Sequence, residues 1–356
     1  MKFLSSLLGI KHPSLREGLG ELGLLGWLLF FCIVFSSCIR EEQQSMNPKG
    51  CFEALWKIID EHYCFFDYKQ KEYGLDWNEV HRRYAKQFEN QKLTTMQSYE
   101  LLTSMLGELR DGHVNLTTSF DYGRYWSWKE DYPQNFSDAL QRNYLGTDYR
   151  ISSALIYKIL PCNIGYIYYG SFSSNFGDGN LDAVLNELST CNGIIIDVRD
   201  NGGGDLSRAE QLAGRFTNDE LLVGYMQHKT GTGHNDFSEM QPQKLKPSTG
   251  IRWQKKVAVL TNRSVFSAAN EFVKYMKCCP KAVIIGDKTG GGAGMPYSSE
   301  LPNGWSIRFS ACPIYDKDKQ STEFGIEPDI KVDITTTDSA RGIDTIIETA
   351  CQELSK

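Results

Sequence analysis

Two rhythms divide the apolar positions of this chain. Over residues 51–118 they recur every three to four residues. Phe52, Leu55, Trp56 and Ile59 make one stripe, and Trp77, Val80, Tyr84 and Phe88 follow Asp76, which stands where an N-cap belongs. Leu102, Met105, Leu106 and Leu109 make a third. One buried face at this spacing predicts amphipathic helices, hence a small N-terminal helical domain. Its last helix meets a glycine stop in Arg110-Asp111-Gly112-His113, and residues 114–118 then alternate as a short strand would.

From residue 156 the rhythm changes to strands alternating with helices. Residues 164–172, 193–198, 257–260 and 282–285 read as strands. Helical stripes lie between them on Leu181, Val184, Leu185 and Leu188, on Leu206, Ala209, Ala213 and Phe216, and from Ser267 onward. The stretch Gly-Ile-Ile-Ile-Asp-Val at 193–198 is continuously apolar, as a strand buried on both faces requires. A hairpin is predicted across Asn303-Gly304. The fold class is therefore α/β, with this domain over residues 156–345. Residues 119–155 are aromatic and polar without a period and read as a linker.

One apolar run belongs to neither rhythm. Residues 22–35 span fourteen positions, short of the roughly 20 that cross a membrane. With Lys2, Lys11 and Arg16 upstream, the run fits an export signal. It ends in Phe35-Ser36-Ser37-Cys38, which resembles a bacterial lipobox, so Cys38 is the expected lipidation site. Residues 1–38 are then the signal and 39–50 a polar tether. The expected location is the bacterial cell envelope, lipid-anchored at the outer membrane on its periplasmic or surface face. A plain cleaved signal or a short membrane anchor is the alternative.

Composition narrows the classes further. Eighteen Tyr, 18 Phe and 7 Trp supply a core, which excludes a disordered chain. A net charge of −6 argues against nucleic acid as a partner. Of ten cysteines, Cys32 and Cys38 fall in the leader, and the others show no CxxC or histidine-linked spacing. The run Asp197-Val-Arg-Asp-Asn-Gly-Gly-Gly-Asp205 fails as a calcium loop because Arg199 and Arg208 occupy ligand positions. No metal and no cofactor is expected.

What that run does offer is three glycines between a buried strand and a helix, a setting in which backbone N–H groups can hold an oxyanion. A plain tight turn is the other reading. Ser267 stands at a second strand-to-helix turn, as a nucleophile would or as a helix N-cap would, and Ser264 competes for either role. A serine needs a base. Among His62, His81, His113, His228 and His234, only His113 follows a helix stop at the edge of the second domain. A capped surface histidine remains open for it.

Six segments, taken in order, carry a resemblance. They are Leu109-Arg-Asp-Gly-His113, the glycine run from Gly193 to Gly204, Thr261-Asn-Arg-Ser-Val-Phe-Ser267-Ala-Ala, Gly286-Asp-Lys-Thr-Gly-Gly-Gly, Leu301-Pro-Asn-Gly304 and Gly325-Ile-Glu-Pro-Asp329. Together they resemble the tail-specific and tricorn-type serine peptidases over residues 50–335. The resemblance implies a crotonase-like ββα core and hydrolysis of peptide bonds through an acyl-enzyme. It implies Ser267 as nucleophile, with the N–H groups of Ala268 and of Gly203 or Gly204 as the oxyanion hole. The tail-specific branch places a lysine near Gly292, where this chain has none; Lys288 lies four residues early. The tricorn-like branch uses a histidine, which His113 fits, with an acid for which Glu323 is preferred to Glu327, and a serine where Gly112 stands. Too few residues separate His113 from the first core strand for a PDZ domain. The implied partner is a peptide or unfolded protein. The alternative is a non-catalytic binding protein for an apolar or peptide ligand on the same fold.

Overall fold

The structure is a computed structural model that describes residues 45–89 and 92–356; the signal, Cys38 and most of the tether lie outside the described residues. The chain opens with four helices, α1 (Pro48–His62), α2 (Phe66–Tyr73), α3 (Trp77–Phe88) and α4 (Thr95–Gly107). Three begin on side-chain caps, from Asn47, Asp76 and Thr94, each meeting an N–H that the helix leaves unpaired. The apolar stripes of α1, α3 and α4 close on one another and on Ile307 and Phe309 of a neighbouring strand. Helix α2 escapes the periodicity because its sequence is polar; it buries only Phe66 and Lys69.

Residues 119–155 are not a linker. They form β2 (Tyr122–Gly123), α5 (Ser127–Glu130), α6 (Asp138–Leu145) and β3 (Arg150–Ser152), following β1 (Asn115–Thr117). Leu140 and Leu145 of α6 are buried, two apolar positions too few to register as a period. The chain continues through β4 (Leu155–Ile159), β5 (Ile164–Tyr168), α7 (Asp178–Glu187), β6 (Gly193–Asp197), α8 (Leu206–Ala213), β7 (Leu221–Met226) and β8 (Gln241–Leu245). It ends through β9 (Lys256–Thr261), α9 (Ala268–Cys278), β10 (Ala282–Gly286), β11 (Gly294–Glu300), β12 (Ser306–Tyr315), β13 (Ile330–Lys331), α10 (Thr336–Ala340) and α11 (Thr345–Ser355).

Two sheets result. A seven-stranded sheet runs β13-β10-β9-β6-β5-β4-β3, parallel from β13 to β5. Helices α7, α8 and α9 supply the core on one face, and α11 supplies it on the other, the double cover that a parallel sheet needs. In β6, Ile194, Ile195 and Ile196 are fully buried, each contributing about 1.5–3 kcal/mol, so the central strand is a rigid base. The second sheet, β2-β1-β12-β7-β8 with β11 also on β12, is antiparallel and carries the expected hairpin, Glu300 facing Ser306. Its strand β1 pairs with β12, which joins the helical region to the sheets. Residues 114–163 are spent on these sheets and on α5 and α6, with no separate inserted domain.

Candidate active site

Three turns converge on one cavity, and each is held by its own buried contacts. The first leaves β6. Arg199 there is fully buried; its guanidinium donates to Asp197 at 2.9 and 2.7 Å, to Asp344 Oδ2 at 2.9 Å and to the Asn135 carbonyl at 3.1 Å. Asp344 caps α11. A cation so desolvated is tolerated only with such pairing. Further on, Asn201 Oδ1 accepts the Gly203 N–H at 3.0 Å, and its carbonyl accepts the Phe266 N–H at 3.1 Å. This ties the glycine turn to the turn that carries Ser267. Gly203 has φ +96°, and a Cβ on it would lie 2.8 Å from Ser267 Cβ and 2.9 Å from the Ala268 nitrogen. Only glycine lets the backbone come this close to the serine.

The second turn leaves β9. Ser267 sits at φ 57°, ψ −124°, a conformation that costs a residue with a Cβ about 1–3 kcal/mol. Its N–H donates to the Gly291 carbonyl at 2.9 Å, and its carbonyl accepts the Glu271 N–H at 3.0 Å. The hydroxyl makes no cap bond to α9. The N-cap role is therefore not the one it fills; a strained serine on a strand–turn–helix corner is the arrangement of a nucleophile elbow. Ala268 opens α9, where the N–H has no carbonyl within the helix to accept it. The Gly203 N–H is held by Asn201, so of the two glycines Gly204, at φ +140°, is the one whose N–H is not donated to Asn201. Ser264 also lines the cavity, without the positive φ that sets Ser267 apart.

The third turn leaves α4. Asp111 Oδ1 accepts the His113 N–H at 2.7 Å, while Oδ2 accepts from the Tyr63 hydroxyl at 3.0 Å and the Ser310 hydroxyl at 2.9 Å. His113 is 3% exposed, so the exposed-histidine alternative does not hold. Its ring lies 4.7 Å from that of Phe266, the residue before Ser267. His113 and Ser267 line one cavity of about 600 Å³ with Gly202, Gly203 and Gly204, walled by Trp126 and Trp128 and bearing Lys129 and Arg308. Burial pushes the imidazole down to about 4; Asp111 opposes that fall and Arg308 adds to it. The ring is thus neutral at neutral pH. Its Nδ1 is buried without a hydrogen-bond partner.

Glu323 lies in the same buried neighbourhood but faces elsewhere. One oxygen accepts from Lys69 Nζ at 3.0 Å, the other from the Ala293 N–H at 3.0 Å, and neither bonds His113. Burial and the Asp111 carboxylate push Glu323 up to about 8 against the pull of Lys69. Lys69 is fully buried, donates also to the Arg110 carbonyl at 3.1 Å, and stands 4.2 Å over the Phe324 ring. Asp111 and Lys69 were not singled out by the sequence reading. Asp111 had a signal, an Asx residue two positions before a turn residue; Lys69, on a polar helix, had none.

Lys288 is paired with Glu327 at 3.1 Å and lines a different cavity with Tyr73 and Arg110. At Gly292, φ +78°, a Cβ would stand 2.5 Å from the Phe266 ring, and at Gly112 it would stand 2.7 Å from Trp128 Nε1. A lysine at the first position or a serine at the second has no room. His81 is bonded to Glu53, His234 to Asp60, and His228 lies beside Cys312, all outside the cavity. Among the described residues, no group of three His, Cys, Asp or Glu is placed to hold a metal ion, and no helix is long and apolar enough to cross a membrane.

Residues 163–332 match peptidase family S41, and residues 46–109 match the tricorn protease C1 domain. A crystal structure of a candidate peptidase from Parabacteroides merdae is 50% identical and superposes with a TM-score of 0.83, covering 86% of this chain and 96% of that one. Mature CPAF complexed with lactacystin shares the fold at 12% identity, with a TM-score of 0.66 over 87% of this chain and 97% of that one. A CtpA-like serine protease of Staphylococcus epidermidis is 27% identical over 172 residues, 48% of this chain and 34% of its own length. An uncharacterized protein of Chlamydia muridarum is 25% identical over 100 residues, 27% of this chain and 17% of its own length; the chain thus spans about a third or less of the curated relatives it matches. By its two matched domains and its likeness to the Parabacteroides protein along nearly the whole of that chain, this chain belongs to peptidase family S41.

Proposed function

We propose that this chain is an exported, lipid-anchored serine peptidase that cleaves peptides or unfolded proteins through an acyl-enzyme. His113 takes the proton of the Ser267 hydroxyl as the serine attacks the scissile carbonyl. The N–H groups of Ala268 and Gly204, with Gly203 if a bound substrate draws it from Asn201, hold the oxyanion. His113 then gives its proton to the leaving amine, and water clears the acyl group. Asp111 fixes the backbone of His113, and its carboxylate supplies the negative field under the imidazolium that forms. Glu323, bonded to Lys69 and to the Ala293 N–H, acts only as a positioning residue for the surrounding turns. Cys38 carries the anchor in the cell envelope.

The observation that supports this reading most is Ser267 itself: strained backbone, a hydroxyl unused by the helix, and a neutral imidazole on the same cavity. Cleavage of a fluorogenic peptide library by the full chain tests it. Ser267→Ala is expected to lower kcat by about 10⁴-fold or more with an unchanged melting temperature. Undiminished cleavage by that variant would exclude Ser267 as nucleophile. No cleavage by the wild type, with saturable retention of an apolar or peptide ligand, would favour a binding protein.

A further inference from the structure

Away from the serine, two thiols are in contact. Cys162 lies in the turn between β4 and β5 and is exposed; Cys351 is on the buried face of α11. Their sulfurs stand 2.9 Å apart across 189 residues of sequence. Both thiols are free. Burial and the hydrogen bond from Cys162 hold the Cys351 thiol well above the ordinary range, so the accessible sulfur is the one that reacts first.

We propose that Cys162 and Cys351 are a modification site, closing to a disulfide in the presence of a low-molecular-weight disulfide oxidant. The Cys162 thiolate attacks one sulfur of oxidised glutathione and expels a glutathione thiolate. Cys351 then loses its proton and attacks the Cys162 sulfur of the mixed disulfide, expelling the second glutathione. The protein gives up two protons and two electrons, and one oxidised glutathione becomes two reduced ones.

The bridge has a consequence for the site. Helix α11 packs Ile346, Ile347, Ala350 and Leu354 against the sheet, and its cap Asp344 grips Arg199 behind the glycine turn. A bond at Cys351 fastens the other end of that helix to the β4–β5 turn. It closes a very long loop, for which cross-linking removes the most unfolded-state entropy.

The test uses the full chain incubated with oxidised glutathione, quenched with N-ethylmaleimide and digested without reduction. The expected result is one peptide pair joined through Cys162 and Cys351, the six other cysteines of the described residues alkylated. The melting temperature should rise by several degrees, fall back with dithiothreitol, and stay unmoved by oxidant in Cys162→Ser. A mixed glutathione adduct on Cys162 that never resolves, a bridge to the neighbouring Cys191, or complete alkylation of both thiols would each overturn the proposal. The wild-type peptide map decides the question even if the variant folds poorly, and Cys351→Ala gives a second control.

Discussion

At φ 57° Ser267 occupies backbone space that suits glycine, and this yields a prediction that separates strain from chemistry. Ser267→Gly relieves the strain, at a cost in unfolded-state entropy of about 0.5–1 kcal/mol. It should melt no lower than Ser267→Ala and is expected about 1 kcal/mol more stable, while both are inactive. Paired thermal melts check this, and a glycine variant clearly less stable than the alanine would contradict the strain. A second prediction concerns Arg308, which helps hold the imidazole of His113 down. Arg308→Gln should move the acid limb of the kcat/KM profile to higher pH, as a higher base pKa requires; an unmoved limb would mean that Arg308 does not act on His113. Ser267, His113 and the glycines were legible in the sequence because each sits at an element boundary that the apolar pattern marks. Lys69 was not, because a buried lysine on a polar helix differs in no local feature from an exposed one. That Glu323 bonds Lys69 and the Ala293 N–H and not His113 was equally hidden, since a sequence orders segments but does not aim carboxylates.

Among the elements, β6 and β9 do the positioning, and their legibility came from continuous apolar runs that need no partner to be recognised. The β11–β12 hairpin was equally plain in Asn303-Gly304. Helices α2 and α6 were not, since each buries two or three residues and is stabilised by tertiary contact rather than by its own period. The turn after β6 is predicted to depend on α11 through the buried Arg199–Asp344 pair. Asp344→Ala leaves part of a buried guanidinium uncompensated, and denaturant melts should show a loss of about 3–5 kcal/mol accompanied by lower kcat. A loss under 1 kcal/mol would mean that Asp197 alone satisfies Arg199. Gly203→Ala should likewise be inactive, because its Cβ would press on Ser267 Cβ and the Phe266 carbonyl.

For the whole molecule, two buried groups between the helical region and the sheets set opposing pH slopes. His113, lowered from 6.5 to about 4, is neutral when folded, so the unfolded chain binds the extra proton and stability is lost as pH falls from 6.5 toward 4. Glu323, raised from 4.5 to about 8, binds its proton more tightly when folded, so its contribution is complete below 4.5 and is lost as pH rises toward 8. The two offset each other between 4.5 and 6.5. From 6.5 to 8 Glu323 acts alone, and stability should fall by up to about 1.4 kcal/mol per pH unit. Glu323→Gln should flatten that limb in thermal melts; a slope that survives the substitution would assign it to another group.

The claim on which all of this rests is that an imidazole from the helical region activates an alcohol from the parallel sheet. The rate of phosphonylation by a fluorophosphonate probe, followed by intact mass and peptide mapping, tests it most directly. A single adduct on Ser267 is expected, forming at least about 10³-fold more slowly in His113→Gln. Equal rates in the two proteins, or an adduct on any residue other than Ser267, would contradict it.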